Sequence, residues 1–490
     1  MNAFKNYTRL ILVLFILFAT QSIFAQDSQT LYYMNRVPQS NMMNPAMQPA
    51  CNFFLGLPVV SSIQAGAGNN QLALTDVIMK HPTEDSLITF LHPDAEFNKS
   101  DFLDKLGTNN FFFEDFSTDL LSFGFRTGKW YFTFNLSEKL TTAINYPKDL
   151  MAFALEGNRN FINSSMDLSY LGVNASFYRE YGVGISKQLS KDFSVGGRIK
   201  VLFGHANVYS SFDDNSLSMY SSRDSIYFNA NTTIRTSSPL IAETNADGEF
   251  DGFSIPGYIE DSNTDSLIDL AMAHKNMGLG LDLGVYYKPF ERLSLSLSVL
   301  DLGYIKWKKE DVTNIELNGN YSFKGIDVSS EFGDEESDTD PFEEMLDSLE
   351  NSFTISNTAS DYTTYLGTKV YIGASYMVSR KFDLSFLSRS YFYNSNLNQA
   401  FTLSANARPI NGFSLSLSYS IMNGSYNNVG FGLVLGGAPF QLYIISDNAS
   451  AALWGHKTTS FNLRMGLNIA FGCRQRTKLK DTPLLKSTFL

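Results

Sequence analysis

The stretch Leu293-Ser-Leu-Ser-Leu-Ser-Val299 decides the reading of this chain: every second residue is a branched apolar one, and every residue between is Ser. A period of two puts one set of side chains on each face of a β-strand, so this segment has an apolar face and a small polar face. The pattern returns in Phe413-Ser-Leu-Ser-Leu-Ser-Tyr-Ser-Ile421. It returns again where Leu279, Leu281, Leu283 and Val285 are separated by Gly280, Asp282 and Gly284, and from Phe461 to Gly472. Such runs of about 10 residues have the length a tilted strand needs to cross a bilayer.

Outward from these runs the chain alternates short turns with long insertions. The turns are Thr127-Gly-Lys129, Leu189-Ser-Lys-Asp-Phe193, Lys288-Pro-Phe-Glu-Arg-Leu293, Ser379-Arg-Lys-Phe382, Arg408-Pro-Ile-Asn-Gly-Phe413 and Gly436-Gly-Ala-Pro439. The insertions cover roughly residues 68–115, 140–165, 206–275 and 307–361. Tight turns on one rim and long loops on the other is the layout of an outer-membrane barrel, with the tight turns periplasmic. Upward strands begin near Asn52, Lys129, Phe193, Leu293, Phe382, Phe413 and Phe440, and a downward strand follows each. The expected fold is therefore all-β: a transmembrane antiparallel β-barrel of about 14 strands, both termini periplasmic, with long extracellular loops. Helical patches are expected at 101–107 and 147–157, and hairpins beyond the membrane at 206–235 and 311–326. A soluble β-sandwich array is the competing architecture, because sandwich strands alternate too.

Lys5 and Arg9 precede the apolar run Leu10 to Ala19, and Ala25 provides a small residue before Gln26, so residues 1–25 read as a secretory signal. The rest divides into an N-terminal plug (26–50), the barrel (51–473) and a periplasmic tail (474–490). No other stretch approaches 18 consecutive apolar residues, so any crossing of a membrane is by strands. With 37 basic and 49 acidic residues the net charge is −12, which argues against nucleic acid and against anionic lipid surfaces as partners. The 41 Phe and 25 Tyr suit half-buried strands and interfacial aromatic belts. The five histidines, His81, His92, His205, His274 and His456, have no ligand spacing, and no HExxH, CxxC, GxSxG or P-loop occurs. Neither an enzyme nor a cofactor is expected.

The inward positions Ser294, Ser296, Ser298, Ser414, Ser416, Ser418, Gly280 and Gly284 are too small to fill a barrel this wide, so water or a plug must occupy the remainder. Residues 26–50 show no alternation and are assigned to that plug; a flexible periplasmic tail is the other reading. Arg198, Lys200, Asp282, Asp383 and Arg464 also point inward by parity. In an open porin they would set charge selectivity. In a plugged barrel they would hydrogen-bond the plug, a role their mixed signs favour. Cys51 and Cys473 fall at the periplasmic ends of the first and last strands, which are neighbours in a closed barrel, so they form a seam disulfide or stand as two unpaired thiols. Asp247, Glu249 and Asp251 imitate half a calcium loop, but Tyr258 stands where a closing Glu belongs. The acidic run 331–350 reads as a solvated loop.

The block Val37-Pro-Gln-Ser-Asn-Met-Met-Asn-Pro-Ala46, followed by Cys51-Asn-Phe-Phe-Leu-Gly-Leu-Pro58, resembles a family of Bacteroidota outer-membrane barrels of unknown function. Asn44-Pro45-Ala46 is similar to the hatch motif of FadL-type fatty acid transporters and to the opening of type IX secretion barrels of the PorP/SprF and PorV kinds. The resemblance implies a FadL-like barrel with an N-terminal plug carrying Pro38, Gln39, Ser40, Asn41, Asn44, Pro45 and Ala46, integral to the outer membrane and in contact with its lipid. It implies no established activity. Two functions follow as expectations. One is a plugged channel for small or hydrophobic solutes. The other is a non-transporting scaffold or secretion-accessory barrel that offers its outer loops to a surface protein.

Overall fold

The alternating runs fold into one closed antiparallel sheet. The computed structural model describes residues 29–473, apart from 84–85, 91–96, 211–215, 224, 238–240, 245–249, 255–274, 324–359, 394–395, 411, 423–424 and 450–457. Fourteen strands form the wall. They are β1 (Phe53–Gly56, resuming as Ile63–Asn69), β2 (Asn109–Thr127), β3 (Trp130–Pro147), β4 (Gly172–Gln188), β5 (Phe193–Ser210), β6 (Met277–Phe290) and β7 (Leu293–Trp307). They continue as β8 (Thr368–Ser379), β9 (Phe382–Tyr393), β10 (Asn396–Ile410), β11 (Phe413–Met422), β12 (Ser425–Gly436), β13 (Phe440–Ser446) and β14 (Ser460–Phe471). Each pairs with the next, and β14 returns to β1 through Phe53↔Phe471 and Ile63↔Met465, so the sheet has no edge. The strand count and topology are those expected from the alternation.

The wall is turned inside out relative to a soluble protein. On β7, Leu295 and Leu297 are 41% and 43% exposed, while Ser296 and Ser298 are buried. On β6, Leu279, Leu281 and Leu283 face outward and Asp282 inward. A sandwich would bury its apolar faces between sheets; here they form a continuous outer surface. Outward aromatics mark its limits: Phe53, Phe125, Trp130, Phe290, Phe440 and Phe471 near the short-turn rim, and Phe116, Tyr304, Phe392, Tyr419 and Phe461 further up. Phe125 to Phe116, or Phe471 to Phe461, is about 9–10 residues, which at ~3.3 Å per residue and ~40° tilt spans ~23–25 Å, the height of an outer-membrane apolar band.

β1 is broken between its two segments. Gly56 pairs with Asn468 and Ile63 with Met465, so residues 57–62 lie opposite only two residues of β14. Val59 takes a φ of 68° and, with Val60, projects outward. Ser61 and Ser62 are pulled inward and buried, and the Ser61 carbonyl accepts from the Tyr443 hydroxyl at 2.8 Å.

The long-loop rim differs from expectation in one respect. Instead of two separate hairpins, Ile226–Ser237 pairs along its full length with Val312–Phe323, while Ser216–Ser221 pairs on its other side. A lone two-stranded hairpin is marginal in water, and the third strand joins two insertions into one sheet. Helices Lys99–Lys105 and Lys148–Glu156 match the expected helical patches. Asn98 caps the first by accepting from the Ser100 and Asp101 amides. Residues 1–25 and the acidic run 331–350 lie outside the described residues.

Beside the Phe53↔Phe471 pair, Cys51 and Cys473 are joined by a disulfide that links positions 422 residues apart. Denatured but unreduced protein is therefore expected to take up no thiol-alkylating mass, and labelling of two thiols would refute the bond. Because the ladder closes the wall independently, Cys473→Ser is expected to leave a heat-modifiable barrel that unfolds several degrees earlier. The loss is at most ~6 kcal/mol on a chain-entropy estimate.

Candidate functional site: the barrel lumen

The N-terminal segment occupies the short-turn half of the lumen. Gln29–Tyr33 and Pro38–Met42 are single 3₁₀ turns, with Pro38 opening the second where its missing N–H costs nothing. Leu31, Tyr32, Tyr33, Met34, Val37 and Met43 form an apolar cluster with Leu300, Tyr371, Val434, Tyr443 and Ile445 of the wall. The rest of the contact is polar. Gln39 and Asn468 exchange amide hydrogen bonds at 2.8 and 3.0 Å. Asn44 accepts from the Ala46 amide and donates to the Tyr32 hydroxyl, which fixes the Asn-Pro-Ala turn. Ser298 donates to the Met43 carbonyl and Ser194 to the Ala46 carbonyl. Deepest in the lumen, Asp447 accepts from the Gln29 and Thr30 amides at 2.7 and 2.8 Å. Pro45 also sits against glycine. A Cβ at Gly284 would meet Asn44 Oδ1 at 2.2 Å, and one at Gly196 would meet the Pro45 carbonyl at 2.3 Å.

Above this segment runs a belt of buried charge over six neighbouring strands. Lys139 of β3 pairs with Glu180 of β4 at 2.7 Å. Lys200 of β5 lies 2.8 Å from Asp282 of β6 and 2.5 Å from Asp301 of β7, and Lys369 of β8 lies 3.1 Å from the other oxygen of Asp301. A bulge in β7 makes the belt possible. Leu281 pairs with Leu302 but Leu283 with Val299, so Leu300 and Asp301 together oppose Asp282. Asp301 takes a φ of 60°, and both bulge residues face inward, Leu300 toward the apolar cluster and Asp301 toward the lysines. Buried ions are tolerable only when paired and hydrogen-bonded, and here each answers the next. Arg198 ties the belt to the segment below: it approaches Asp282 at 3.5 Å and donates to Asn41 Oδ1 at 3.0 Å.

Over the belt opens a cavity of about 120 Å³ lined by Phe113, Tyr178, Tyr391 and Tyr393 beside Lys369 and Arg464. Arg464 is buried, and its Nε and one terminal nitrogen have no hydrogen-bond partner. On the opposite side of the N-terminal segment, a second hollow of about 240 Å³ lies between Met47–Ala50 and the β4–β5 turn.

The residues singled out from sequence thus separate by role. Pro38, Gln39, Ser40, Asn41, Asn44, Pro45 and Ala46 all lie within the buried segment. Arg198 contacts it directly. Asp383 reaches it through Arg408, which donates to the Tyr33 carbonyl. Lys200 and Asp282 serve the belt, and Arg464 faces the cavity. Asp247 and Glu249 lie outside the described residues, and Asp251 falls in the short strand Phe250–Ser254. Among the described residues no His, Cys, Asp and Glu group is arranged to hold a metal. Lys139, Glu180 and Lys369 were missed, although parity with Ser137, Gly182 and Tyr371 points them inward. Asp301 was not legible, because counting by twos from Leu293 turns it outward and only the bulge reverses it. Asp447 follows the end of β13 and carries no periodic signal.

A family model described as "Family of unknown function (DUF5723)" matches residues 45–447. No curated protein matches the sequence. Among solved structures, the chain is similar to the toluene transporter TbuX of Ralstonia pickettii, at 8% identity and a TM-score of 0.39, covering 88% of this chain and 94% of that one. It is similar to a Pseudomonas aeruginosa FadL homologue at 9% identity and a TM-score of 0.36, covering 89% and 94%. The P. putida toluene transporter TodX gives 9% and 0.35, with coverage of 88% and 94%.

Because Asn44 presses on Gly284, Gly284→Val is expected to loosen the N-terminal segment by about 1–3 kcal/mol. Arg36 is the sole Lys or Arg in residues 26–50, so trypsin reports the change. The unsubstituted folded barrel resists cleavage at Arg36 and the variant is cut there. Equal resistance in a heat-modifiable variant would refute the contact.

Proposed function

The chain belongs to the family of unknown function DUF5723, and we propose that it is an integral barrel of a bacterial outer membrane that works as a plugged channel for small solutes. The observation carrying this reading is the pair of hollows, one over the charge belt and one against Met47–Ala50 at the short-turn rim, with the belt and the N-terminal segment packed between them. The outward apolar band between two aromatic tiers supports the membrane placement. The cavity, at about 120 Å³, is well below the ~300 Å³ at which pockets begin to take drug-sized ligands, which supports reading this conformation as closed. Its lining supports a solute with an apolar or aromatic face and a polar end: tyrosines and Phe113 supply the first surface, Lys369 and Arg464 the second.

Passage requires the segment to move, and its attachments favour one direction. The rim end is held covalently through Cys51, whereas the deep end is held only by non-covalent contacts: hydrogen bonds of Gln29 and Thr30 to Asp447 and the apolar packing of Leu31, Tyr32 and Tyr33. Non-covalent contacts exchange with water or solute whereas the disulfide does not, so on this reading the deep end moves while the rim end stays fixed.

Liposome swelling tests the reading. Vesicles carrying the intact chain are expected to admit small sugars and amino acids slowly, and deletion of residues 26–50 is expected to raise uptake at least tenfold. Equal uptake by both proteins removes the plug from the proposal, and no uptake by either removes the channel.

A further inference from the structure

The net charge of −12 conceals a segregation. Residues 68–115, 140–165, 206–275 and 307–361, the insertions of the long-loop rim, hold 37 of the 49 acidic residues and only 11 of the 37 basic ones. The short-turn rim is the reverse. Its β2–β3, β4–β5, β6–β7 and β8–β9 turns carry Lys129, Lys187, Lys191, Arg292, Arg380 and Lys381, against Asp192 and Glu291. Lys129, Lys191, Arg380 and Lys381 are exposed. These turns are consecutive around the wall, so the bases form a crescent spanning eight of the fourteen strands.

We propose that this crescent binds the anionic phospholipid headgroups of the leaflet on the short-turn side. The inference rests on the membrane placement above. Three observations favour headgroups over an acidic protein. First, the bases sit at the level of the lower aromatic tier, where headgroups lie. The Lys187 ammonium is 4.4 Å from the ring centroid of outward-facing Trp130, a cation and an indole side by side at the boundary. Second, an arc following the circumference matches a surrounding lipid annulus, whereas a docked protein covers one compact patch. Third, the acidic insertions do not cancel the effect. The strand ends from which they leave lie across an apolar band of ~23–25 Å, and charge is screened over ~8 Å at physiological ionic strength. Each base near an anionic leaflet strengthens attraction severalfold.

The full chain reconstituted in phosphatidylcholine vesicles containing a minor fraction of phosphatidylglycerol tests this. Tryptophan quenching is read with the brominated chains placed on one lipid or the other, and the Trp130 contribution is isolated by subtracting Trp130→Phe. Brominated phosphatidylglycerol is expected to quench Trp130 more strongly than its share of the lipid predicts. The combined variant Lys129→Gln, Lys191→Gln, Arg380→Gln and Lys381→Gln is expected to lose at least about threefold of that preference, as is the unsubstituted protein in high salt. A heat-modifiable, inserted barrel with no preference overturns the inference and leaves the membrane reading standing. So does a quadruple variant with undiminished preference. Failure to insert into either lipid overturns the membrane reading and this inference with it.

Discussion

A sheet of fourteen strands closed on itself leaves an interior too wide for its own side chains to fill, and most of the architecture answers that constraint. Apolar residues already line the outside, so the inside is left with Ser, Asn, Gly and ionised groups that need partners. The N-terminal segment supplies them in one half of the lumen. It brings a compact apolar cluster, and its backbone carbonyls and amide side chains meet Ser194, Ser298 and Asn468. In the other half, the charge belt satisfies itself across six strands. Arg198 belongs to both, so the two solutions are mechanically joined.

Two departures from a regular ladder occur where the lumen needs something the alternation cannot provide. Strict period two puts one residue in and the next out. The β7 bulge breaks that rule to turn two consecutive residues inward, one for the apolar cluster and one for the charge belt. The β1 break does something similar with Ser61, whose carbonyl accepts from both Tyr443 and Gln39. Both irregularities touch the N-terminal segment or its immediate support, so the wall is shaped around its contents.

These irregularities also mark where sequence reading ends. Strand number, the direction of each strand, the inward set on β6, β7 and β11, and the meeting of Cys51 with Cys473 all follow from alternation plus the turns between runs. Lys139, Glu180 and Lys369 were within reach of the same parity count. Asp301 and Asp447 were not, because a bulge reverses parity and a strand end has none. The two outer insertions merged into a single sheet for a different reason: pairing between Ile226–Ser237 and Val312–Phe323 is a long-range choice that no local pattern announces. Whole-chain charge is silent in yet another way, since a sum over 490 residues erases the difference in sequence charge between the long insertions and the short turns.

The seam disulfide has a topological consequence. It turns residues 51–473 into one covalent ring, and the N-terminal segment leaves that ring at Cys51 and bends back through its bore. The molecule is a lasso whose loop is the barrel wall. Displacing the tail breaks no covalent bond of the loop, so the container would stay closed through any rearrangement of its contents.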